Sequence, residues 1–337
     1  MLYVVIIYLW VAMLLYILMG GADFGAGILE FFAGRKNRSQ TGKVIYDAIG
    51  PIWEANHMWL IIVIVILFVG FPVIYSTVLT TLHIPILIML LGIIARGTAF
   101  TYRHYDAIQD RLQILYTKTF IYSSLITPLF LGIIGGSILS GRIDPRATSF
   151  QDAYIFSWLC VFPVLVGFFT IALFGFLAAV FIIGETDLEG EKEFAVRKAK
   201  RFSIAAIVLA GLILLCASIE NIPLIERLFG NYISISCVYF SLGLLAWMWI
   251  FSFKERNSFY LRIIAGAQVT FLFLAISYGY YPILVTFKNE AGLSLLANQG
   301  NELTINYLGR AMLGGSVFIL PALGYLLHSF QRRRKIW

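Results

Sequence analysis

An all-α polytopic membrane protein of nine transmembrane helices is the fold class this sequence predicts, and three observations predict it. Hydrophobic residues make up 60% of the 337 positions and charged residues only 13%, with a mean hydropathy of +0.86, a balance that excludes an ordinary soluble fold. Apolar runs of about 20 residues, the length a helix needs to cross hydrocarbon, recur with short charged breaks between them. These runs, such as Trp59-Leu-Ile-Ile-Val-Ile-Val-Ile-Leu-Phe68, lack the alternation of a barrel strand, the other structure that satisfies its own backbone in lipid.

The first span, 3–33, has neither a basic leading segment nor a small-residue cleavage site and runs far beyond a signal-peptide core, so a retained helix is expected. Arg35, Lys36, Arg38 and Lys43 separate it from the second, 52–71, and the third is expected at 82–102. Arg103, Arg111 and Lys118 mark the passage to the fourth, 116–141; Arg142 and Arg146 precede the fifth, 152–183. Lys192, Arg197, Lys198, Lys200 and Arg201 lead to the sixth, 202–218, and Arg227 to the seventh, 232–253. Lys254, Arg256 and Arg262 flank the start of the eighth, 260–287; Lys288 precedes the ninth, 305–330, which ends in Arg332, Arg333, Arg334 and Lys335.

If these spans alternate in direction, all but six of the 25 Lys and Arg residues fall on one side. The exceptions are Arg142, Arg146, Arg227, Lys288 and Arg310 opposite, and Arg96 inside span three. The positive-inside rule then places the N-terminus outside and the C-terminus in the cytoplasm, and it supports an odd number of spans. The formal charge of +7 thus reads as topology, not as a nucleic-acid footprint.

No loop exceeds about 20 residues, too few for a soluble catalytic domain, so one integral-membrane domain over 1–337 is expected. Spans one to four and five to eight suggest two four-helix bundles with span nine peripheral, without a detectable internal repeat. Small residues at Gly21 and Gly25, Ala22 and Ala26, Gly132 and Gly136, and from Gly309 to Gly315 suit close helix packing, within one chain or across a dimer. Cys160, Cys216 and Cys237 form no paired motif and read as small packing residues. Trp10, Trp158, Trp247 and Trp249 read as interface anchors or packing.

Against this apolar background, ionisable residues inside the spans are functional candidates, because each costs several kcal/mol in hydrocarbon, about 3 on insertion scales. Asp23 lies in Gly20-Gly-Ala-Asp-Phe-Gly-Ala-Gly27, and Glu54 and His57 in Gly50-Pro-Ile-Trp-Glu-Ala-Asn-His-Met-Trp59. Helix rise puts Asp23 roughly 16 Å from the cytoplasmic end of span one, and Glu54 and His57 within about 8 Å of the cytoplasmic start of span two, on one helix face. Arg96 sits seven residues before Arg103, in the same half of the membrane. Carboxylates and a histidine arranged inward from one face suit a proton relay. The alternative is structural: Arg96 pairs with Asp23 or Glu54, and His57 donates to a backbone carbonyl.

A haem in this chain would need axial ligands at matched depth on facing helices. Of the four histidines, His83 falls near the outer end of span three, His104 just past its inner end, His328 at the inner end of span nine and His57 in span two. One inner pair is conceivable, whereas a chain of haems is not. No metal cluster, nucleotide loop or nucleophile constellation stands out, and the glycines of 20–27 precede no Rossmann unit.

Four segments carry a resemblance: Ala22-Asp-Phe-Gly-Ala-Gly27; Ile49-Gly-Pro-Ile-Trp-Glu-Ala-Asn-His-Met-Trp-Leu-Ile61; Phe71-Pro72 followed by Tyr75; and Arg96-Gly-Thr-Ala-Phe-Thr-Tyr-Arg103. The sequence resembles subunit II of cytochrome bd-type quinol oxidases, and the likeness continues through Phe259 to Val285 and the Leu320-Pro321 and Tyr325 region. It departs at Gly184-Glu-Thr-Asp-Leu-Glu-Gly190, where the family usually has Lys or Arg before Thr and Gly.

The resemblance implies a haem-free subunit in a heterodimer with subunit I, which carries two b-type haems, haem d and the site for quinol and O2 chemistry. It implies a bacterial cytoplasmic (inner) membrane location in an aerobic respiratory chain, and it is compatible with a structural quinone and small single-span accessory subunits. It further implies that Glu54 serves proton uptake toward haem d and that Trp53 stabilises the haem region. The expected path is therefore Glu54, Asp23 and His57, with Trp53, Arg96, Asn56 and Arg103 as structural or charge partners, and with no catalytic, cofactor or metal site in this chain. The rival readings are a secondary transporter with a one-sided proton or ion site, and a stability partner with no proton role.

Overall fold

The computed structural model describes residues 1–33, 53–105, 111–183, 189–253 and 258–333. Helix α1 (Leu2–Phe32) is followed by α2 (Trp53–Gly70), α3 (Pro72–Thr81), α4 (His83–Tyr105) and α5 (Arg111–Ser140). A short α6 (Phe150–Tyr154) precedes α7 (Val161–Ile183), α8 (Glu189–Ile219), the short α9 (Leu224–Phe229) and α10 (Tyr232–Trp247), which continues as a π-helical turn, Met248–Ser252. Then come α11 (Ser258–Tyr280), strands β1 (Ile283–Val285) and β2 (Leu293–Ser294), and α12 (Glu302–Arg333).

Among the described residues, seven helices are long and apolar enough to cross a membrane, or eight if α2 and α3 form one broken span. The ninth expected span falls in α12, a helix of 32 residues whose side chains beyond residue 325 lie outside the described residues.

The second span ends where expected, at a 116° bend between α2 and α3, whereas other boundaries differ, each for a local reason. Pro72 opens α3 where its missing N–H is harmless and pushes Phe71 out of helical geometry, to φ −136° and ψ 60°. Gly300 N–H caps the freed Gly70 carbonyl at 2.8 Å. The fifth span starts at Val161, because residues before it form α6, whose N-cap Ser149 accepts from Asp152 N–H at 3.1 Å. The sixth starts at Glu189: the charged stretch that reads as a loop is an amphipathic extension of α8, burying Ala195, Val196, Ala199 and Phe202.

The eighth span stops at Tyr280 because Pro282, after a cis Tyr281–Pro282 bond, cannot continue it. The apolar residues beyond form β1, paired antiparallel with β2, and Phe287 bridges to Ile143. The fold is thus helical, in keeping with the all-α expectation, with one small β ladder between α11 and α12.

Helix α1 packs on α2, α5 and α7 and touches α11 and α12, while α7 also packs on α5 and α8, and α10 on α11. Four of the small residues, Gly21, Gly25, Gly132 and Gly136, serve these contacts. A Cβ at Gly21 would meet Leu177, one at Gly25 would meet the Phe174 carbonyl, and ones at Gly132 and Gly136 would meet Val166 of α7. They therefore lie within the chain, where close backbone approach supplies the dispersion contacts that hold membrane helices together. Large apolar side chains such as Ile7, Phe68, Leu91, Ile94 and Leu215 remain exposed, the outward surface expected of a chain surrounded by lipid or by other apolar helices.

Candidate functional site

Two carboxylates seven residues apart on α1 face two arginines seven residues apart on α4. Asp23 and Arg96 are both buried, at 1% and 0% exposure. Arg96 grips Asp23 with both terminal nitrogens: Nη1 donates to Oδ2 at 2.9 Å, and Nη2 donates to Oδ1 and, at 3.1 Å, to the Asp23 carbonyl. Two turns along, Arg103 Nη1 donates to Glu30 Oε2 at 2.8 Å and Nη2 to Oε1 at 2.9 Å. Seven residues is close to two helical turns, so both pairs fall on the same face of each helix.

The walls of this ladder are aromatic and small. The Arg96 guanidinium lies over the rings of Phe24, Phe100 and Phe120, at 5.4, 5.4 and 5.3 Å from their centroids. Arg103 lies over Phe120 at 5.6 Å, so one α5 ring serves both arginines by cation–π attraction. Glycine admits the neighbours: Gly20 faces the Asn56 amide, and a Cβ at Gly27 would fall on Ser124 of α5. The glycine-rich motif around Asp23 therefore does the packing work that lets α2, α5 and α7 close on a charged residue.

From α2, Asn56, fully buried, donates from Nδ2 to Asp23 Oδ2 at 3.5 Å. His57, half-buried, sets its ring edge-on to Phe24, 6.3 Å between centroids, within electrostatic reach of Asp23 and Arg96. Trp59 Nε1 donates to Met19 Sδ at 3.1 Å, tying α2 to α1 beside the site. The side chains of Trp53 and Glu54, at the first turn of α2, lie outside the described residues, as do the departing segment 184–188 and the side chains of His104 and His328.

The structure thus brings together Asp23, Asn56, His57 and Arg96, and it pairs Arg96 with Asp23. Arg103 has a partner that sequence reasoning missed, Glu30. The signal was present: both pairs are separated by 73 residues, the signature of two helices that run in the same direction in matched register. His83 lies at the opposite end of α4, exposed, with Nδ1 2.9 Å from the Thr80 carbonyl. Any inner histidine pair would involve His104 or His328, whose side chains lie outside the described residues. Among the described residues, the buried charged side chains are Asp23, Glu30 and Arg96, all in the first third of the chain, and no group of three His, Cys, Asp or Glu is placed to hold a metal ion.

A buried ion pair of this kind resists single changes. Desolvating both partners offsets much of their attraction, so the pair adds little net stability, yet removing one partner strands the other charge. Chemically, Asp23 is an acceptor with both oxygens engaged, and His57 is the titratable ring beside it, able to take a proton at one nitrogen and release it from the other.

The family model for cytochrome bd terminal oxidase subunit II matches residues 1–330. The chain is 32% identical over 150 residues to cytochrome bd ubiquinol oxidase subunit 2 of Bacillus subtilis, covering 44% of this chain and 42% of that one. It is 24% identical over 179 residues to cytochrome bd-I ubiquinol oxidase subunit 2 of Escherichia coli K12, covering 51% of this chain and 46% of that one. Each match spans less than half the length of the curated relative. A chain in the structure of the bd oxidase from Geobacillus thermodenitrificans shares the fold, with a TM-score of 0.77 and 20% identity over 97% of this chain and 98% of that one.

Proposed function

This chain belongs to the cytochrome bd terminal oxidase subunit II family, and from that premise we propose that it is the haem-free subunit of a quinol:O2 oxidoreductase. It scaffolds a haem-bearing subunit I in the bacterial cytoplasmic membrane and supplies part of a proton path from the cytoplasm. In the partner, two b-type haems and haem d supply electron transfer from quinol and reduction of O2 to water. This chain's residues deliver protons to that chemistry.

The proposed orientation is N-terminus outside and C-terminus inside, with nine spans counting α2–α3 and α12. The Asp23 and Glu30 levels then lie in the cytoplasmic half. A proton enters at Glu54, on the first turn of α2, and passes to the His57 imidazole three residues on. Asp23, held as an acceptor by Arg96 and Asn56, provides the negative charge that attracts the proton there. Trp53, Asn56, Arg96 and Arg103 position these groups.

The observation that supports this reading best is the convergence of Asp23, Asn56, His57 and Arg96, from α1, α2 and α4, at one buried place. A secondary transporter fits less well, because among the described residues the fully buried charged side chains, Asp23, Glu30 and Arg96, all lie in the first third of the chain. A purely structural role has one specific observation in its favour, the double grip of Arg96 on Asp23.

Glu54→Gln and Asp23→Asn in the assembled oxidase separate these readings. A proton role predicts slowed quinol-driven O2 consumption with haem spectra intact. Unchanged turnover with full haem content in both variants leaves only the structural role.

A further inference from the structure

Five buried side-chain atoms around the ion-pair ladder have no hydrogen-bond partner: Tyr16 Oη, Asn56 Oδ1, Arg96 Nε, Ser124 Oγ and Thr127 Oγ1. All five residues are at least nine-tenths buried. They come from four helices, α1, α2, α4 and α5, and the packing places them at successive levels. Ser124 faces Gly27, one turn beyond Asp23 toward Glu30. Asn56 reaches Asp23 and also faces Gly20. Thr127 faces Gly92, one turn before Arg96 on α4. Tyr16 stands seven residues before Asp23, on the same face of α1 and within electrostatic reach of both Asp23 and Arg96. Tyr16, Asp23 and Glu30 thus form one stripe, with about 10 Å of helix rise between neighbours.

An unpartnered polar group inside a membrane protein loses on the order of 1–3 kcal/mol relative to a satisfied one. Five in one neighbourhood, donors and acceptors mixed, call for a shared small partner that both donates and accepts. Water meets that requirement, typically making about three hydrogen bonds per buried molecule. No side chain in the stripe spans the rise between Tyr16 and Asp23 alone.

We propose that a short file of internal water molecules is held between α1, α2, α4 and α5, bonded to Asn56, Arg96, Ser124, Thr127 and Tyr16, and that it extends the proton path from Asp23 toward the middle of the membrane. The hydration site stands on the unpartnered atoms. Its proton-carrying role rests on the proton-path reading above. In it, Tyr16 receives a hydrogen bond from the last water and donates its own, so a proton shifts along the file by exchange of bonds and no group changes net charge for long.

X-ray hydroxyl-radical footprinting of the whole oxidase in lipid nanodiscs tests the site, because radicals generated from bound water label the side chains that touch it. Tyr16 is expected to be oxidised despite its burial, well above Phe162, an equally buried ring in an apolar cluster. Labelling of Tyr16 no faster than Phe162 overturns the hydration site. For the role, Tyr16→Phe and Thr127→Val are expected to retain haem spectra, slow turnover several-fold and raise the H2O/D2O rate ratio. If Tyr16→Phe keeps wild-type turnover and isotope ratio while Glu54→Gln is slow, the extension is overturned and the entry path stands. If both are wild-type, both proposals are overturned.

Discussion

Arg96 is the residue on which the site turns. It is among the largest fully buried side chains, its charge is met by one carboxylate, and three rings line its faces. Arg96→Met should therefore destabilise the protein by about 3–5 kcal/mol, since Asp23 is left charged and buried. Asp23→Leu combined with Arg96→Met should recover most of that loss, as measured by the thermal midpoint of the assembled complex. If the double variant is stable yet turns over slowly, Asp23 acts beyond structure; if it is stable and fully active, the pair is structural. Sequence showed which residues were out of place in lipid, because an ionisable group in an apolar run carries its own cost. It did not show partner choice. Arg96 had Asp23 and Glu54 open to it, and only the α1–α4 contact selects Asp23. Glu30 escaped notice because a carboxylate near a span end is unremarkable until its two-turn offset from Asp23 is set beside that of Arg96 and Arg103.

At the scale of elements, the glycines of α1 decide how closely its neighbours come. Gly25→Ala places a methyl against the Phe174 carbonyl and Ala178 and should cost about 1–3 kcal/mol by overpacking. Gly135→Ala, which meets nothing within 4 Å, should change stability by less than about 0.5 kcal/mol. Thermal inactivation of the two purified variants checks the contrast. Span existence was legible from apolar length, whereas span ends were not. A charged amphipathic stretch such as 189–201 reads as a loop when only hydropathy is counted, although Ala195, Val196, Ala199 and Phe202 mark a buried face. Conversely, the apolar residues after Tyr280 read as helix, and Pro282 diverts them into a strand. The bend at Phe71 follows from the same proline chemistry at Pro72.

At the scale of the whole molecule, the fully buried charged side chains among the described residues lie on α1 and α4, with α2 and α5 closing around them. The proposed one-sided path rests on this asymmetry. The proposed topology predicts that a single cysteine at Arg146 is labelled by a membrane-impermeant maleimide from the outside of intact cells. One at Lys192 should be labelled only after the membrane is opened, and the reverse pattern would invert the path. The central claim is that protons enter through this subunit at Glu54. Its most direct measurement is electrometric: the assembled oxidase in liposomes, one turnover started by O2, and the rate of charge movement coupled to proton uptake. Glu54→Gln should keep the haem absorbance of the wild type and slow the proton-coupled phase at least about ten-fold. A phase of wild-type rate and amplitude in that variant would contradict the account.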